Sequence, residues 1–497
     1  MGRRVVIIGS GLGGLSCGAI LSRNGYDVTV LEQGPVPGGC LQCFSRAGVK
    51  FETGMHFVGS ARPGEPLDRI MRYLGVRPYV ELSQLDPSGY DRVSLLGKQY
   101  SFANGREAFI DTLLRDFPAC RRDLESYCNL IEEVASASAM QTLDFASADS
   151  AMTMEYQSRS VGEVISSVVK DSLLAKVLAG TSPLYAGIEE ETPFATHAFI
   201  TSFYNRSAFR FVGGSDSLAN AFVRVIEDFG GRVLTSRKVT KIVCDDARAT
   251  GVIASDVFMP ADYVISDAHP ARTLELLDTS LIRPAYRSRI KAMPQTVGAF
   301  SVYIKFKEGA VPYMAHNEYI YSGNTPWGCE KYTQESWPGG LIYMHMCHQP
   351  NPVYARSGIL ISYMNMDDVR QWVGTPVGRR GADYEDFKRE KAEKVLDLLE
   401  SHRPGTRTGI EKYWTSTPLT YRDYTGTEEG AMYGVERSIH GGPERRVTYR
   451  TRIPNLLLTG QNTNSHGIMG VLVGSFMTCG ELLSPGTIIR QIKEMGI

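Results

Sequence analysis

The opening of the chain constrains its fold more than any other segment. An apolar run over residues 5–8 leads into the spacing Gly9-x-Gly11-x-x-Gly14, and a helix is predicted over 15–22. In such a strand–turn–helix the first glycine permits a tight turn, the second lets the backbone approach a pyrophosphate, and the third lets the helix pack on the strand. The helix N-terminus also offers unpaired N–H groups to phosphate. The predicted contacts to a dinucleotide are Gly9, Gly11, Leu12, Gly13 and Gly14.

An acidic residue follows the second predicted strand, residues 27–31. Glu32 comes 21 residues after Gly11, where a carboxylate accepts hydrogen bonds from a ribose and repels a 2′-phosphate. The site is therefore expected to take an unphosphorylated adenosine end, as in FAD or NAD. We predict that Glu32 and its neighbour Gln33 contact the cofactor.

A second glycine pair favours FAD over NAD. Gly38 and Gly39 come soon after the acidic strand, and residues 44–51 are predicted to form two short strands around a turn. Proteins that bind FAD in an extended form use a glycine pair here, whereas an NAD dehydrogenase more often continues with another strand–helix–strand repeat. Gly38 and Gly39 are therefore predicted to contact FAD.

The C-terminal end carries a second glycine-rich element. An apolar strand is predicted over 455–461, and a glycine-punctuated helix begins near 466. The positive end of that helix is expected to stabilise a reduced, anionic flavin through the backbone N–H groups of Ile468 and Met469, with His466 as a candidate helix cap. The predicted contacts in this region are Gly460, Gln461, Gly467, Ile468 and Met469.

The composition is that of an ordinary folded chain of 497 residues, 43% hydrophobic and 22% charged. The 53 Lys and Arg residues balance 54 Asp and Glu, so no global field favours nucleic acid. Nine cysteines without regular spacing argue against a disulfide scaffold and fit a reducing compartment. No run approaches the ~18 apolar residues of a membrane span. We expect a cytoplasmic protein and leave contact with a membrane surface open.

Several blocks along the chain resemble one known group. They are the segments 51–59 (FETGMHFVG), 211–215 (FVGGS), 417–434 and 459–470. Together they resemble the superfamily of FAD-dependent oxidoreductases that contains phytoene desaturases, carotenoid isomerases and retinol saturases, over essentially the whole chain. The retinol saturase-like branch is the most similar.

The resemblance and the strand pattern together imply an α/β fold in which both domains are discontinuous. A Rossmann-type domain binding extended FAD is expected from residues 1–75, 209–275 and 428–497. A substrate domain, with a mixed sheet and a helical cap, is expected from 76–208 and 276–427. In the family, the backbone of the residue that matches Val239 contacts the adenine.

The resemblance also implies the activity. We expect an FAD-dependent oxidoreductase that acts on a carbon–carbon double or single bond of a lipophilic isoprenoid or polyene by hydride transfer through flavin N5. Saturation is favoured. Desaturation, redox-neutral isomerisation, amine oxidation and a carrier with structural FAD stay open. The sequence has no second GxGxxG, so electrons are expected to pass to or from a diffusible partner such as NAD(P)H.

Few side chains stand out as candidates for chemistry. His56 could donate a proton to a substrate carbon, or could only hydrogen-bond cofactor or backbone. His197 is interpreted as a satisfied core histidine, and Cys40-x-x-Cys43 as packed thiols rather than a metal site. No metal is expected, and the oligomeric state is left open. Aromatic strands are expected to line a substrate tunnel, with Tyr319, Tyr321, Tyr343, Tyr363, Trp414 and Tyr421 as candidates.

Two local predictions concern the substrate domain. Helical spacing over 161–178 predicts one helix there. The alternation of apolar and charged residues over 301–307 predicts a strand at the edge of a sheet.

Overall fold

The computed structural model describes residues 2–138, 142–143, 149–427, 429–440, 442 and 445–496. The strands of this part of the chain are β1 Arg4–Ile8, β2 Asp27–Leu31, β3 Cys43–Arg46, β4 Val49–Glu52, β5 Val58–Gly59, β6 Leu82–Gln84, β7 Asp91–Leu95, β8 Lys98–Phe102, β9 Ala208–Phe211, β10 Arg232–Leu234, β11 Val239–Cys244, β12 Ala249–Ala254, β13 Val257–Pro260, β14 Tyr263–Ser266, β15 Gly298–Phe306, β16 Asn317–Tyr321, β17 Gly340–His345, β18 Ser357–Met364, β19 Ile410–Ser416 and β20 Leu456–Leu458.

The α-helices in the same described residues are α1 Leu12–Arg23, α2 Pro66–Tyr73, α3 Arg106–Leu114, α4 Arg121–Ser136, α5 Ser150–Gln157, α6 Val161–Val168, α7 Ser172–Leu178, α8 Phe194–Arg206, α9 Asp216–Asp228, α10 Pro270–Glu275, α11 Pro284–Lys291, α12 Ala382–His402, α13 Pro418–Thr425, α14 Gly467–Leu483 and α15 Pro485–Glu494. Three smaller sheets, β11-β12-β13, β3-β4 and β5-β9-β6, accompany two larger ones.

A five-stranded parallel sheet brings both ends of the chain together. Its order is β10-β2-β1-β14-β20, and each neighbouring pair runs parallel. Strands β1, β2, β14 and β20 are short apolar runs with almost every residue buried, as expected for a parallel sheet covered on both faces, whereas β10 at the edge is partly exposed. Helix α1 packs between α14 and α9. The carboxyl ends of β1, β14 and β20 therefore meet at one edge of the sheet, although Ile8 at the end of β1 and Leu458 at the end of β20 are 450 positions apart in the sequence.

A seven-stranded mixed sheet forms the second layer. Its order is β19-β15-β18-β17-β16-β7-β8, and only β16 and β7 pair in parallel among these neighbours. The prediction that residues 301–307 form an edge strand is wrong, because β15 lies between β18 and β19 and is buried along nearly its whole length. The one charged residue of β15, Lys305, is paired within the sheet: its Nζ lies 2.7 Å from Glu411 Oε1 on β19.

Helices α3 to α8 cover one region of this sheet, and the single helix predicted over 161–178 is in fact two. Helix α6 ends where Val169 takes an extended conformation, and α7 starts after Asp171. The Asp171 carboxylate accepts the backbone N–H groups of Leu173 and Leu174, each at 2.9 Å. The apolar periodicity of the sequence continues through the break between α6 and α7. Hydrophobic spacing alone therefore could not predict that break. The α/β fold class predicted from the sequence is confirmed.

The described residues contain no single helix long and apolar enough to cross a bilayer. A sharply bent pair, Gly467–Leu483 with Gly486–Glu494, meets the length and composition requirement only when its two members are counted together.

Candidate functional site

One cavity of about 1190 Å³ extends from the glycine loop after β1 to one face of the seven-stranded sheet. Of the residues predicted to bind cofactor or to act in catalysis, it is lined by Gly9, Gly11, Leu12, Gly13, Glu32, Gln33, Gly38, Gly39, His56, Val239, Gly460, Gln461, Gly467 and Ile468. Gly14 and Met469 lie outside its lining. Residues from five distant parts of the chain thus line one cavity.

Glu32 holds the glycine loop in place while it faces the cavity. One carboxylate oxygen accepts the backbone N–H of Ser10 at 3.1 Å and its hydroxyl at 2.6 Å, and the other accepts the N–H of Gly34 at 2.7 Å. These bonds use part of the acceptor capacity of a carboxylate, which has about four lone-pair sites. Glu32 can therefore support the loop and still accept hydrogen bonds from a ribose.

Gly14 packs the helix against the strand rather than facing the ligand. A methyl group added to it would clash with the backbone carbonyl of Gly9, so the close approach of α1 to β1 requires glycine. At Gly13, an added Cβ would lie 2.7 Å from the backbone nitrogen of Gly460. The N-terminal loop and the loop after β20 are therefore in direct contact, and no side chain fits between them.

The N-terminus of α14 borders the same cavity. Gly467 and Ile468 line it, whereas the Met469 side chain is 6% exposed and packs in the core between the helices. His466 precedes the helix, but its side chain makes no capping hydrogen bond. Both His466 ring nitrogens are buried and lack a partner among the described residues, and burial lowers its pKa to about 3. The ring is therefore neutral, and its centroid lies 4.6 Å from that of Tyr433, with the two ring planes tilted by 36°.

Asp267 is the site residue that the sequence did not indicate. It follows β14, and its carboxyl group lies against Gly11, Gly13 and Gly460, since a methyl group on any of them would overlap one of its oxygens. Burial raises the pKa of Asp267 to about 7; the charge of Glu32 adds to this, while the backbone N–H groups of Gly14 and Gly11 oppose it. Knowing that β14 pairs with β1 would have revealed it, because ligands bind at the carboxyl ends of parallel strands.

His56 faces the cavity with one ring nitrogen free. Its Nδ1 lies 3.6 Å from Glu52 Oε2, an ion-pair distance longer than a hydrogen bond, and its Nε2 has no partner among the described residues. Glu52 is 5% exposed and also accepts the N–H of Ser215 at 3.1 Å. Burial raises the pKa of Glu52, and the neighbouring His56 opposes that rise. The two side chains form an acid–imidazole pair that opens onto the cavity.

The far wall of the cavity is the inner face of the seven-stranded sheet. Alternate residues of β17, β18 and β19 line it, as the period of two in a strand requires: Ile342, Met344, Ile361, Tyr363, Trp414 and Ser416. Of the predicted aromatic residues, Tyr321, Tyr363, Trp414 and Tyr421 face the cavity. Tyr343 points to the opposite face, where its hydroxyl lies 2.6 Å from His345 Nε2, and Tyr319 lies in the core.

Two other candidates have structural roles. His197 is fully buried between the hydroxyls of Tyr127, at 2.7 Å, and Tyr185, at 2.9 Å, as its interpretation as a core histidine predicts. Cys40 and Cys43 are free thiols, and burial raises their pKa values to about 11 and about 12, so both stay protonated. Within the described residues, no group of three His, Cys, Asp or Glu side chains could hold a metal ion.

These features fit a dinucleotide with a large second group. The glycine loop leaves no room for side chains, Glu32 stands where a ribose is bound, and the cavity exceeds the 300–1,000 Å³ typical of pockets for one small ligand. The fold and the cavity therefore define a dinucleotide-dependent α/β protein with a substrate compartment.

Comparison with known proteins identifies the family. A family model described as flavin containing amine oxidoreductase matches residues 12–478. The chain is 27% identical to human (Homo sapiens) all-trans-retinol 13,14-reductase, covering 99% of this chain and 87% of the relative. It is 24% identical to the neurosporene-forming phytoene desaturase of Cereibacter sphaeroides, covering 99% and 96%. Among solved structures, an oxidoreductase from Methanosarcina mazei has a TM-score of 0.64 at 19% identity, covering 95% and 99%.

The chain belongs to the flavin containing amine oxidoreductase family, and it is an FAD-dependent oxidoreductase. The resemblance to phytoene desaturases and retinol saturases that the sequence motifs indicate is confirmed.

Proposed function

We propose that this chain reduces a conjugated carbon–carbon double bond of a lipophilic isoprenoid or polyene, by hydride transfer through N5 of bound FAD. The names of the relatives support the substrate class, since they act on a retinoid and on a carotenoid precursor. Desaturation is the same reaction in the opposite direction, and the direction depends on the electron partner. We propose a diffusible partner such as NAD(P)H, because the sequence contains one dinucleotide fingerprint.

The observation that carries the proposal is the continuity of the cavity. A single space joins the glycine loop to a wall of aliphatic and aromatic side chains on β17, β18 and β19. Ile342, Met344 and Ile361 offer no charge to that wall, so an apolar chain gains free energy on leaving water there. The tyrosine hydroxyls of the same wall can orient one polar end of a substrate.

We assign the cofactor to the residues predicted from the sequence: Gly9, Gly11, Leu12, Gly13, Glu32, Gln33, Gly38, Gly39, Val239, Gly460, Gln461, Gly467 and Ile468, with Gly14 and Met469 acting through packing and backbone. The segments 1–75, 209–275 and 428–497 are proposed as the FAD-binding domain, and 76–208 and 276–427 as the substrate domain. Residues 1, 139–141, 144–148, 428, 441, 443–444 and 497 of these ranges lie outside the described residues.

His56 is proposed as the proton donor. Reduction of a double bond needs a proton at the carbon that does not receive the hydride. His56 lines the cavity, and its buried Nε2 has no partner among the described residues. Glu52 stabilises the protonated imidazole and fixes which nitrogen faces the substrate.

A lipophilic substrate also has a consequence for where the protein meets it in the cell. We propose a cytoplasmic protein that takes its substrate from a lipid surface, because such a molecule partitions into membranes rather than water.

The experiment is anaerobic. Purified holoenzyme is photoreduced, a panel of retinoids and carotenoids is added, and the visible absorption of the flavin is followed. We expect the oxidised flavin band to return with one polyene, together with the loss of that polyene's conjugated absorption.

Other results would redirect the assignment. Bleaching of the oxidised enzyme by a less conjugated isoprenoid would establish desaturation instead. Oxidation of a simple amine with release of peroxide would establish an amine oxidase, and polyene binding without any flavin change would indicate a carrier. A polyene whose double bond changes geometry without net loss of conjugation would establish an isomerase.

A further inference from the structure

Asp267 places an ionisable group inside the glycine cradle. Its backbone N–H donates to the carbonyl of Ile8 at 2.8 Å, which anchors it beside the end of β1. Its carboxyl group then lies between the N-terminal glycine loop and Gly460 of the C-terminal loop. The predicted site for a pyrophosphate is this same loop, at the N-terminus of α1.

A carboxylate here would oppose an anionic cofactor. Two negative charges that share a buried site cannot both be accommodated without a large rise in free energy, so one of them takes up a proton. A pyrophosphate diester stays ionised throughout the range in which proteins are stable, which leaves Asp267 as the group that changes.

We propose that Asp267 is a positioning residue that binds FAD only as the neutral carboxylic acid, so that the chain takes up one proton when FAD binds above neutral pH. The neutral acid has one O–H donor and one carbonyl acceptor. The carbonyl oxygen accepts N–H from the glycine loop, and the O–H is free to donate to an anion. This inference rests on the proposed binding of FAD at the glycine loop and not on the identity of the substrate.

Among the described residues, no cation contributes to the electrostatics of Asp267 and would keep it ionised. Glu32, from the end of β2, is a like charge, and the Cys40 thiol, from the segment before β3, stays neutral because burial raises its pKa to about 11. The loop after β20 contributes Gln461, which has no charge. His269, two residues further along, is engaged elsewhere, with Nδ1 accepting the N–H of Ala271 and Nε2 lying 3.1 Å from Gln295.

The sign of the pH dependence follows. Burial raises the pKa of Asp267 to about 7 before FAD binds, and the cofactor's charge raises it further. Below about pH 7 the acid is already neutral, and FAD affinity is independent of this group. Above it, a proton must be taken up, and the dissociation constant for FAD rises by up to about tenfold per pH unit.

The test compares the wild-type protein with Asp267→Asn, since an amide offers the same donor and acceptor without a charge. FAD is titrated into deflavinated protein from about pH 6 to about pH 9, in the range where the linkage acts, and binding is followed by flavin fluorescence. We expect the wild-type dissociation constant to rise with pH and that of Asp267→Asn to stay flat. The matched control is Asp262→Asn, which removes a carboxylate of the same segment that pairs with Arg4 at the surface and should keep the wild-type slope.

A flat wild-type profile, or a slope that survives in Asp267→Asn, would overturn the proposal. If Asp267→Asn does not bind FAD at all, the number of protons taken up by the wild-type protein on FAD binding tests the proposal instead. Calorimetry in buffers of different ionisation enthalpy should give close to one proton per FAD at about pH 8.5. An uptake of no protons would refute the proposal. Gly13→Ala tests the underlying assignment separately, because Gly13 lines the cavity and has no room for a side chain. Unimpaired FAD binding by that variant would show that the glycine loop does not hold the cofactor, whatever the pH result.

Discussion

At the scale of single residues, the geometry around His56 explains which of its nitrogens can act. Nδ1 lies 3.6 Å from Oε2 of the buried Glu52 carboxylate, whereas Nε2 is buried and has no partner among the described residues. A carboxylate beside one nitrogen of an imidazole favours the proton on that nitrogen and stabilises the doubly protonated ring. His56 can therefore present a second, transferable proton at Nε2.

Replacing His56 by Asn is expected to lower the rate of the chemical step by about 10²–10⁴-fold, the usual contribution of a positioned acid or base. Glu52→Gln is expected to lower it by roughly 10–100-fold, as found for groups that orient a functional histidine. Single-turnover oxidation of the photoreduced enzyme by its polyene measures both. FAD content should match that of the wild-type protein in each variant.

The pH profile separates chemistry from structure. The pH profile of the rate in His56→Asn should differ from that of the wild-type protein, because the variant lacks the proposed proton donor. His440→Asn, at an exposed histidine, is the control and should leave the profile unchanged. Full activity in His56→Asn would remove it from the mechanism and leave the cavity tyrosines as donors.

The sequence could identify His56 but not its partner. Glu52 ends β4 and the chain then turns, so the spacing of four residues implies no contact as it would on a helix. Asp267 was missed for a related reason: its place in the glycine cradle depends on the pairing of β14 with β1, which lie about 260 residues apart in the sequence. Sequence motifs identify the residues within one loop. Predicting which loops contact each other also requires the order of the strands in the sheet.

At the scale of elements, the break between α6 and α7 depends on a competition between continuing the helix and forming hydrogen bonds at the break. Hydrophobic periodicity does not report on those hydrogen bonds. Asp171 accepts two backbone N–H groups of α7, and the N–H of Lys170 donates to Asp123 Oδ2 of α4 at 2.7 Å. All three hydrogen bonds favour an interruption of the helix. A continuous helix over 161–178 would forgo them and would redirect the apolar face of one half.

Asp171→Ala should therefore destabilise the protein by about 1 kcal/mol, the usual cost of losing a helix N-cap. The measurement is the urea midpoint of the holoenzyme, followed by circular dichroism. Asp171→Asn is the matched control, because asparagine caps helices as well as aspartate does. An equal loss in both variants would mean that the charge of Asp171, rather than its cap, supports this region.

The cavity wall shows what a strand pattern can and cannot predict. The sequence indicated β17 and β18 as strands, but both of their faces are buried, so their composition does not reveal which face is inward. Ile342 and Met344 face the cavity, whereas Tyr343 between them is buried on the other side. The sequence indicated the aromatic strands only as a group: Tyr321 and Tyr363 line the cavity, whereas Tyr319 and Tyr343 lie outside its lining.

At the scale of the whole molecule, both chain ends belong to one structural unit. Helices α1 and α14 pack together, and the hydroxyls of Ser16 and Ser475 lie 2.6 Å apart in their buried interface. Strand β20 completes the sheet that β1 began. The paired glycine-rich ends indicated this closure from the sequence, because a cofactor held by both ends requires them to be adjacent.

Since the cavity is lined by both ends, FAD should stabilise them together. A ligand present at about a hundred times its dissociation constant adds about 2.7 kcal/mol to the stability of the state that binds it. Hydrogen exchange of deflavinated and FAD-loaded protein should show slower exchange at β1, β20 and the start of α14 by similar factors. Strands β7 and β8, at the far edge of the seven-stranded sheet, are the internal control and should change little if they open independently of the FAD site. Protection confined to β1 and α1 would mean that the C-terminal loop packs beside the cofactor without binding it. Gly460 and Gly467 would then have a packing role only.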